Sequence, residues 1–457
     1  MNALFEKIYY NCPVFIQNFA IGLLGYKLAK ERFQQEGEEY LGLLDKIEGY
    51  SSEETKTYQE AQFVALAKHA INNTKFYQSW AKNNQIVADD IKSIADLQKF
   101  PIVEKQTIRE NPDSFRALNI PNQFKLGTSG TTGTPLVVYT DKISRSKHYA
   151  FFTRLRANYG VKASSRRCTL FGRIIMKADS SKPPFWRYDW FQKNLLMSSY
   201  HLKESNLRDY YNKLLSFMPE EIFAYPSSIT PIAEFIVRER LPRINLKLIM
   251  TTAENLSSYQ RDIIGKAFDA PILNQYGCTE MVFFSYGDDG DLHVALEHGY
   301  LEVVDKTGEI KSTGVGEMVA TGYINYSMPI IRYKVGDNIS LKTNEDNGKQ
   351  TITSVDGRVD DVLYRLDGTP VGRLDPVFKG RQGIKLAQII QNEMGSVHVN
   401  IVSDASFNLE KENILMNEFT KRFGSGVHIK IIKCDDIAKA KNGKFKSVIS
   451  LYKGARS

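Results

Sequence analysis

Apolar residues recur with helical spacing early in the chain and in short strand-like runs later. Between Pro13 and Leu28 an apolar stretch is interrupted by Gln17 and Asn18, with Lys27, Lys30 and Arg32 at its end. Phe15, Phe19, Leu23 and Leu24 fall on roughly one face of a helix. Such a stripe is expected to pack on the body of its own protein; the alternative is a membrane surface. The polar interruption and the lack of a small-residue cleavage site speak against a signal peptide or a spanning helix. Residues 38–82 predict further helices, and in the run Glu60–Lys82 the residues Phe63, Leu66, Ala67, Ala70 and Ile71 share a face. In the middle of the chain, Ile222–Tyr225, Leu246–Thr251 and Pro271–Gln275 predict short buried strands between helices, the pattern of an α/β sheet. The last hundred residues predict a smaller α+β unit: a strand over Val397–Val402, a helix over Leu409–Phe423, and a strand over Val427–Lys433. The polar, turn-rich stretch Asn344–Gly348 precedes the expected boundary near Gly357. Neither an internal repeat nor a low-complexity segment is present.

Composition adds little to this picture and removes some options. The 457 residues are 42% hydrophobic and 25% charged, which supplies ample apolar material for a core. Cys12, Cys168, Cys278 and Cys434 stand far apart, without metal-ligand or redox spacing, as free thiols in a reducing cytoplasm do. The net charge of +8 suits anionic lipid and phosphorylated small molecules. No nucleic-acid-binding motif accompanies it, so a nucleic-acid partner is not expected.

The chemistry is concentrated in short motifs. Gly127-Thr128-Ser129-Gly130-Thr131-Thr132-Gly133-Thr134-Pro135 packs three glycines and five hydroxyl residues into nine positions. Glycine lets backbone N–H groups turn toward an anion, and hydroxyls add donors, so the segment can hold a polyphosphate. It lacks the Gly-Lys-Ser/Thr end of a Walker loop. Asn274-Gln275-Tyr276-Gly277-Cys278-Thr279-Glu280 offers an aromatic face for a purine, a tight turn, a hydroxyl for a phosphate oxygen and a hard carboxylate suited to Mg²⁺. Within Met328–Asp337, Asp337 follows a glycine turn and can accept from both ribose hydroxyls, while Arg332 reads as structural. His201, His293 and His298 have no cysteine nearby, and a zinc site is not expected.

These motifs resemble, in content and order, those of the adenylate-forming superfamily of acyl-CoA synthetases, adenylation domains and luciferases. The resemblance implies an α/β fold with a large N-terminal domain that binds ATP and the acid, residues 1–356, and a small α+β C-terminal lid, residues 357–457. It identifies Thr128, Ser129, Gly130, Thr131, Thr132 and Gly133 as the phosphate grip, with Thr132 also catalytic. Leu136 stands where the family usually has a lysine, a change common in the phenylacetate–CoA ligase branch. Tyr276, Gly277 and Thr279 are implied as nucleotide contacts and Glu280 as the catalytic Mg²⁺ ligand. The segment Thr251–Leu256 is similar to the one lining the adenine pocket, which brings in Ala253 and Glu254. Gly357-Arg358-Val359-Asp360-Asp361 is similar to the interdomain hinge, with Arg358 on the nucleotide and Asp360 as pivot. Lys444, within Lys441–Lys446, matches the catalytic lysine, a charge placed to steady the adenylation transition state.

Similarity to phenylacetate–CoA ligases extends to Leu66–Tyr77, to Ile94-Ala95-Asp96-Leu97 and to Phe100–Lys105. The stretches Val362–Val371 and Gln388-Ile389-Ile390-Gln391 look more like the CapK-type branch, found with capsule and other surface-polysaccharide biosynthesis. The resemblance therefore implies an AMP-producing ligase that uses ATP and Mg²⁺, with CoA a further candidate, and passes an acyl group to an amine or thiol. A phenylacetate-type CoA ligase and a non-catalytic nucleotide-binding protein of a polysaccharide complex are the alternatives. The expected location is the cytoplasm, with peripheral contact at the inner membrane face. The acid pocket is expected between the glycine loop and Phe171–Tyr200, where Arg173, Lys177, Lys182, Arg187, Trp186 and Trp190 suit a polar or anionic ligand.

Overall fold

In the computed structural model the described residues are 8–127, 136–177, 180, 182–288, 290–358, 363–366, 371, 375–378, 383–424, 426–438 and 445–450. Most of the strands before residue 359 join one sheet of thirteen. One half is parallel: Ile272–Gly277, Leu248–Thr252, Glu221–Ala224, Arg167–Leu170 and Asn194–Met197 lie side by side, with Trp186–Asp189 as an antiparallel edge. The other half is antiparallel, running from Phe284–Gly287 through Gln350–Arg358 and Tyr333–Thr343 to Gly299–Val304 and its short edge partner. The halves meet at Ile272–Gly277, which pairs parallel on one side and antiparallel on the other. The change of direction leaves the carboxyl ends of the parallel strands open, the usual place for a ligand in such sheets.

The helices follow their local signals. Ser51 and Glu54 form a reciprocal capping box that starts the helix Ser52–Asn73. The run expected to continue to Lys82 breaks at Thr74. Its backbone is extended, and its hydroxyl accepts from Tyr77 N to start a second helix, Lys75–Asn83. Apolar periodicity runs across the break because both helices pack into the same core, with Phe63, Ala70, Ile71 and Tyr77 buried.

The helix Val14–Arg32 corrects a second expectation. Its buried positions are Gln17, Ile21, Gly22 and Gly25, not the apolar stripe. Gln17 accepts from Arg187 Nε, and Asn18 accepts from Tyr188 N at 2.9 Å. A Cβ on Gly22 would lie 1.9 Å from Trp190 Nε1. The helix thus sits on the sheet edge by polar bonds and glycine contacts, and Phe15, Phe19, Leu23 and Leu24 face outward. Phe15 is 72% exposed.

The last hundred residues build their own four-stranded sheet, in which Ser396–Ser403 and Ile384–Glu393 are central. Helix Leu409–Phe423 contributes Leu415, Phe419 and Phe423 to a core shared with Val397, Val399 and Ile401. The closing strand, Val448–Ser450, runs parallel to Ile384–Glu393.

Two glycines bring the Tyr276–Glu280 turn down onto the sheet. Gly299 and Gly322 are cross-strand partners. A Cβ on Gly322 would lie 2.6 Å from Val282 Cα and 2.7 Å from Met281 O, and one on Gly299 would lie 2.3 Å from Val282 O. The backbone just after Glu280 therefore rests on a strand pair that carries no side chain there. Gly322→Ala is expected to destabilise the protein by about 1–3 kcal/mol through overpacking against main chain. Thermal unfolding against Gly42→Ala, where nothing lies within 4 Å, checks this. Equal melting of Gly322→Ala and wild type would remove the seat from the account.

Candidate nucleotide site

The site assembles at the carboxyl ends of Leu248–Thr252 and Ile272–Gly277, which are in parallel register. Thr251 donates to Asn274 Oδ1 at 3.1 Å and Thr252 to Gln275 Oε1 at 2.7 Å, so the strand ends are fixed to each other. Beyond Thr252, Ala253 turns in the left-handed region, φ +66°. Next comes Glu254, whose carboxylate takes three donors. Ser227 N donates to Oε2 at 3.0 Å, while Ser227 Oγ at 3.0 Å and Phe445 N at 2.7 Å donate to Oε1. Ser227 lies in the first turn of the helix Pro226–Arg238, where backbone N–H groups have no helical partner and favour an anion. Phe445 belongs to the C-terminal unit and directly follows Lys444. Glu254 thus joins three distant segments at one point.

On the neighbouring strand, Tyr276 donates its hydroxyl to Asp337 Oδ2 at 2.6 Å. Its ring meets Phe283 edge-on, with centroids 4.9 Å apart. Both Tyr276 and Asp337 are half-buried. Asp337 follows Gly336, φ +89°, and pairs in register with Arg358, so two of the sequence motifs share one rung of the sheet. A ring beside a carboxylate at a strand end is suited to a nucleoside: the ring for the base, the carboxylate for ribose hydroxyls.

Glu280 is only 5% exposed. Tyr333 OH donates to its Oε1 at 3.0 Å, and the Cys278 thiol lies near the same carboxylate. Burial, then the adjacent carboxylate, pushes the Cys278 thiol well above its ordinary range, and the Tyr333 phenol rises for the same reasons. Both groups remain protonated at neutral pH. No cluster of three His, Cys, Asp or Glu side chains suited to a metal occurs among the described residues. A single hard carboxylate is nevertheless a donor set Mg²⁺ uses when substrate oxygens and water complete its shell. Thr279 is exposed at the same turn.

Arg332 is buried and bidentate on Glu302, at 3.0 and 2.8 Å, a structural pair. Thr128, Ser129, Gly130, Thr131, Thr132 and Gly133 lie outside the described residues, as do Asp360 and Lys444. The strands flanking the glycine segment, Phe124–Gly127 and Val137–Thr140, pair as a hairpin, with Gly127 opposite Val137. For Arg358 only the backbone is described.

Of the cations expected around an acid pocket, Arg173 lines a cavity beside the sheet, together with Arg32, Arg156 and Arg167. Arg187 is instead committed to Gln17 and to the carbonyls of Pro184 and Trp186. Lys177 bonds Asn11. His201 is held by Ser198 and the Lys177 carbonyl, and His298 by His148. Sequence reasoning passed over Ser227 and Tyr333. Each had a legible signal: Ser227 follows a proline at a strand-to-helix junction, and Tyr333 adjoins the Gly336-Asp337 turn.

Known proteins resemble the chain in sequence and in fold. Residues 363–451 match the CapK C-terminal domain family. The chain is 26% identical to protein CapK of Staphylococcus aureus, over 98% of its own length and 100% of that protein's. It is 27% identical to a phenylacetate-coenzyme A ligase of Pseudomonas putida, covering 78% and 81% of the two chains. Among solved structures it overlaps 2-hydroxyisobutyryl-CoA ligase, in the postadenylation state with an acyl-AMP, at a TM-score of 0.67 and 16% identity, covering 88% and 90% of the chains. The chain is similar over nearly its whole length to CapK and over most of it to phenylacetate-coenzyme A ligases, and it has the adenylate-forming ligase fold.

Proposed function

We propose that the protein activates a carboxylic acid with ATP as an acyl-adenylate and then passes the acyl group to an amine or thiol acceptor in surface-polysaccharide assembly. The observation that carries the reading is the bond from Phe445 N to Glu254 at 2.7 Å. It holds the residue after Lys444 against the segment that would line the adenine pocket. A lysine delivered there by the C-terminal unit is what the first half-reaction needs.

In that step the adenine lies against Ala253, Glu254 and Tyr276, and the ribose hydroxyls donate to Asp337. The segment Thr128–Gly133 grips the phosphates through backbone N–H and hydroxyl donors. A carboxylate oxygen of the acid attacks the α-phosphorus, the bond from that phosphorus to the bridging oxygen breaks, and pyrophosphate leaves with the electron pair. Lys444 steadies the charge that develops on the phosphoryl oxygens. Glu280 would hold Mg²⁺, which would supply positive charge against the triphosphate. Rotation about Asp360 then breaks the Phe445–Glu254 contact, withdraws Lys444 and opens the acyl-adenylate to the acceptor, with AMP as leaving group. The phenylacetate–CoA ligase relatives support CoA as a thiol acceptor; the acceptor in glycan assembly rests on the resemblance to the CapK-type branch.

ATP–pyrophosphate exchange with uronic, aromatic and amino acids tests the first step. Lys444→Ala is expected to lower exchange by about 10²–10³-fold while ATP still binds. Tight ATP binding with no exchange for any acid would favour a nucleotide-binding scaffold instead.

We also propose that the helix Val14–Arg32 rests on an anionic bilayer surface. Phe15, Phe19, Leu23 and Tyr26 form an exposed stripe, extended by Phe191, whose ring meets Tyr26 at 5.0 Å. No acidic residue occurs from Val14 to Lys30, and Lys27 and Lys30 border the stripe. Apolar side chains flanked by lysines are the composition of an interfacial helix. No helix among the described residues is long and apolar enough to cross a membrane. Co-sedimentation with phosphatidylglycerol vesicles is expected, and the triple change Phe15→Ser, Phe19→Ser, Leu23→Ser should weaken it about tenfold or more. Equal binding by the triple variant, or a wild-type protein that ignores vesicles, would contradict this placement.

A further inference from the structure

A cavity of about 150 Å³ lies between the helix Val14–Arg32 and the parallel half of the sheet. Four guanidinium groups line it, from Arg32, Arg156, Arg167 and Arg173, against two carboxylates, Asp189 and Glu221. Both carboxylates are already engaged. Glu221 takes Arg156 Nε on both oxygens at 2.9 Å, and Asp189 accepts from Phe191 N, Gln192 N and Gln192 Nε2. Arg173 is exposed beyond the carboxyl end of its strand.

Arg32 and Arg167 are left over. Each has a buried Nε without an acceptor among the described residues. Arg167 otherwise donates only a long 3.3 Å bond to the Gln192 carbonyl, and Arg32 lies over the Tyr149 ring at 4.7 Å. Burial pushes the Arg167 guanidinium down to about 10 and lowers Arg32 as well. Asp189 and Glu221 offset part of the charge on Arg167 from a distance, but four guanidinium groups against two carboxylates leave the cavity with an excess of positive charge that a bound anion would neutralise.

The cavity also leads toward the nucleotide site. Arg167 and Glu221 begin their strands, and Phe171 lies just past the far end. Phe171 stacks on Tyr225 at 4.9 Å, and two residues on is Ser227, which holds Glu254.

We propose that this cavity receives the far end of the acid substrate, and that this end carries a second anionic group, carboxylate or phosphate, bound by Arg32 and Arg167. The proposal rests on the acid-activating reading and narrows its substrate class to compact acids with two anionic ends. An acid that ends in a methyl or an aryl group would leave both guanidinium groups unanswered. A planar fork of donors is matched by the oxygens of either anion.

Isothermal titration of the full chain without ATP separates this claim from catalysis. The probes are succinate against butyrate and 3-phosphoglycerate against glycerate. At least one dianion is expected to bind about tenfold or more tightly than its monoanionic partner, and which pair shows the effect distinguishes carboxylate from phosphate. Arg167→Gln should bring that ratio to about one, and Arg167→Lys should restore part of it. Arg32→Gln is the second variant should Arg167→Gln fail to fold. Equal binding of dianion and monoanion in every pair, or a preference that survives both glutamine variants, overturns the proposal. Discriminating binding without pyrophosphate exchange would uphold the pocket and overturn acid activation.

Discussion

One carboxylate holds this architecture together. Glu254 follows a buried strand, caps the first turn of a helix through Ser227, and accepts Phe445 N from the C-terminal unit. Glu254 and Phe445 are 191 residues apart in sequence. Two of the donors to Glu254 come from Ser227 and one, Phe445 N, from the small unit, which meets the strand ends here through a single charge-assisted bond. Losing one donor, Phe445 N, would leave Glu254 still anchored by the other two. The contact is therefore suited to being made and broken while the nucleotide-facing half stays in place.

The rest of the site is rigid for reasons that lie outside it. Tyr333 keeps Glu280 oriented inside the protein, and the paired glycines 299 and 322 let its turn approach the sheet. Arg332, bonded to Glu302 and to the carbonyls of Gln98 and Phe100, anchors the strand that carries Tyr333 and Asp337. Buried ion pairs of this kind contribute little net stability, but removing one partner is costly, so they act to hold geometry.

Much of the architecture was legible in the sequence because local pattern and global fold agree. The strands around Ile222, Met250 and Leu273 are short apolar runs buried on both faces, and the helix Leu409–Phe423 has the bounds its periodicity implies. The motif residues Glu254, Tyr276 and Asp337 do meet at one end of the sheet. Other features depend on contacts that spacing does not encode. The break at Thr74 is invisible because both helices bury the same face. The helix Val14–Arg32 reads as amphipathic, yet its inward face is made of glycine and amide groups, and periodicity alone does not say which face turns in. Arg32 and Arg167 are 135 residues apart, and only the fold brings them to one cavity.

The proposed function requires that Glu254, Tyr276 and Asp337 surround a single nucleotide. A crystal structure of the protein with AMP tests it most directly. The expected result is a base against Tyr276 and the Glu254 segment, ribose hydroxyls on Asp337 and the phosphate directed toward residues 128–133. An AMP molecule bound elsewhere, with the Tyr276–Asp337 bond intact and no contact to Glu254, would contradict it.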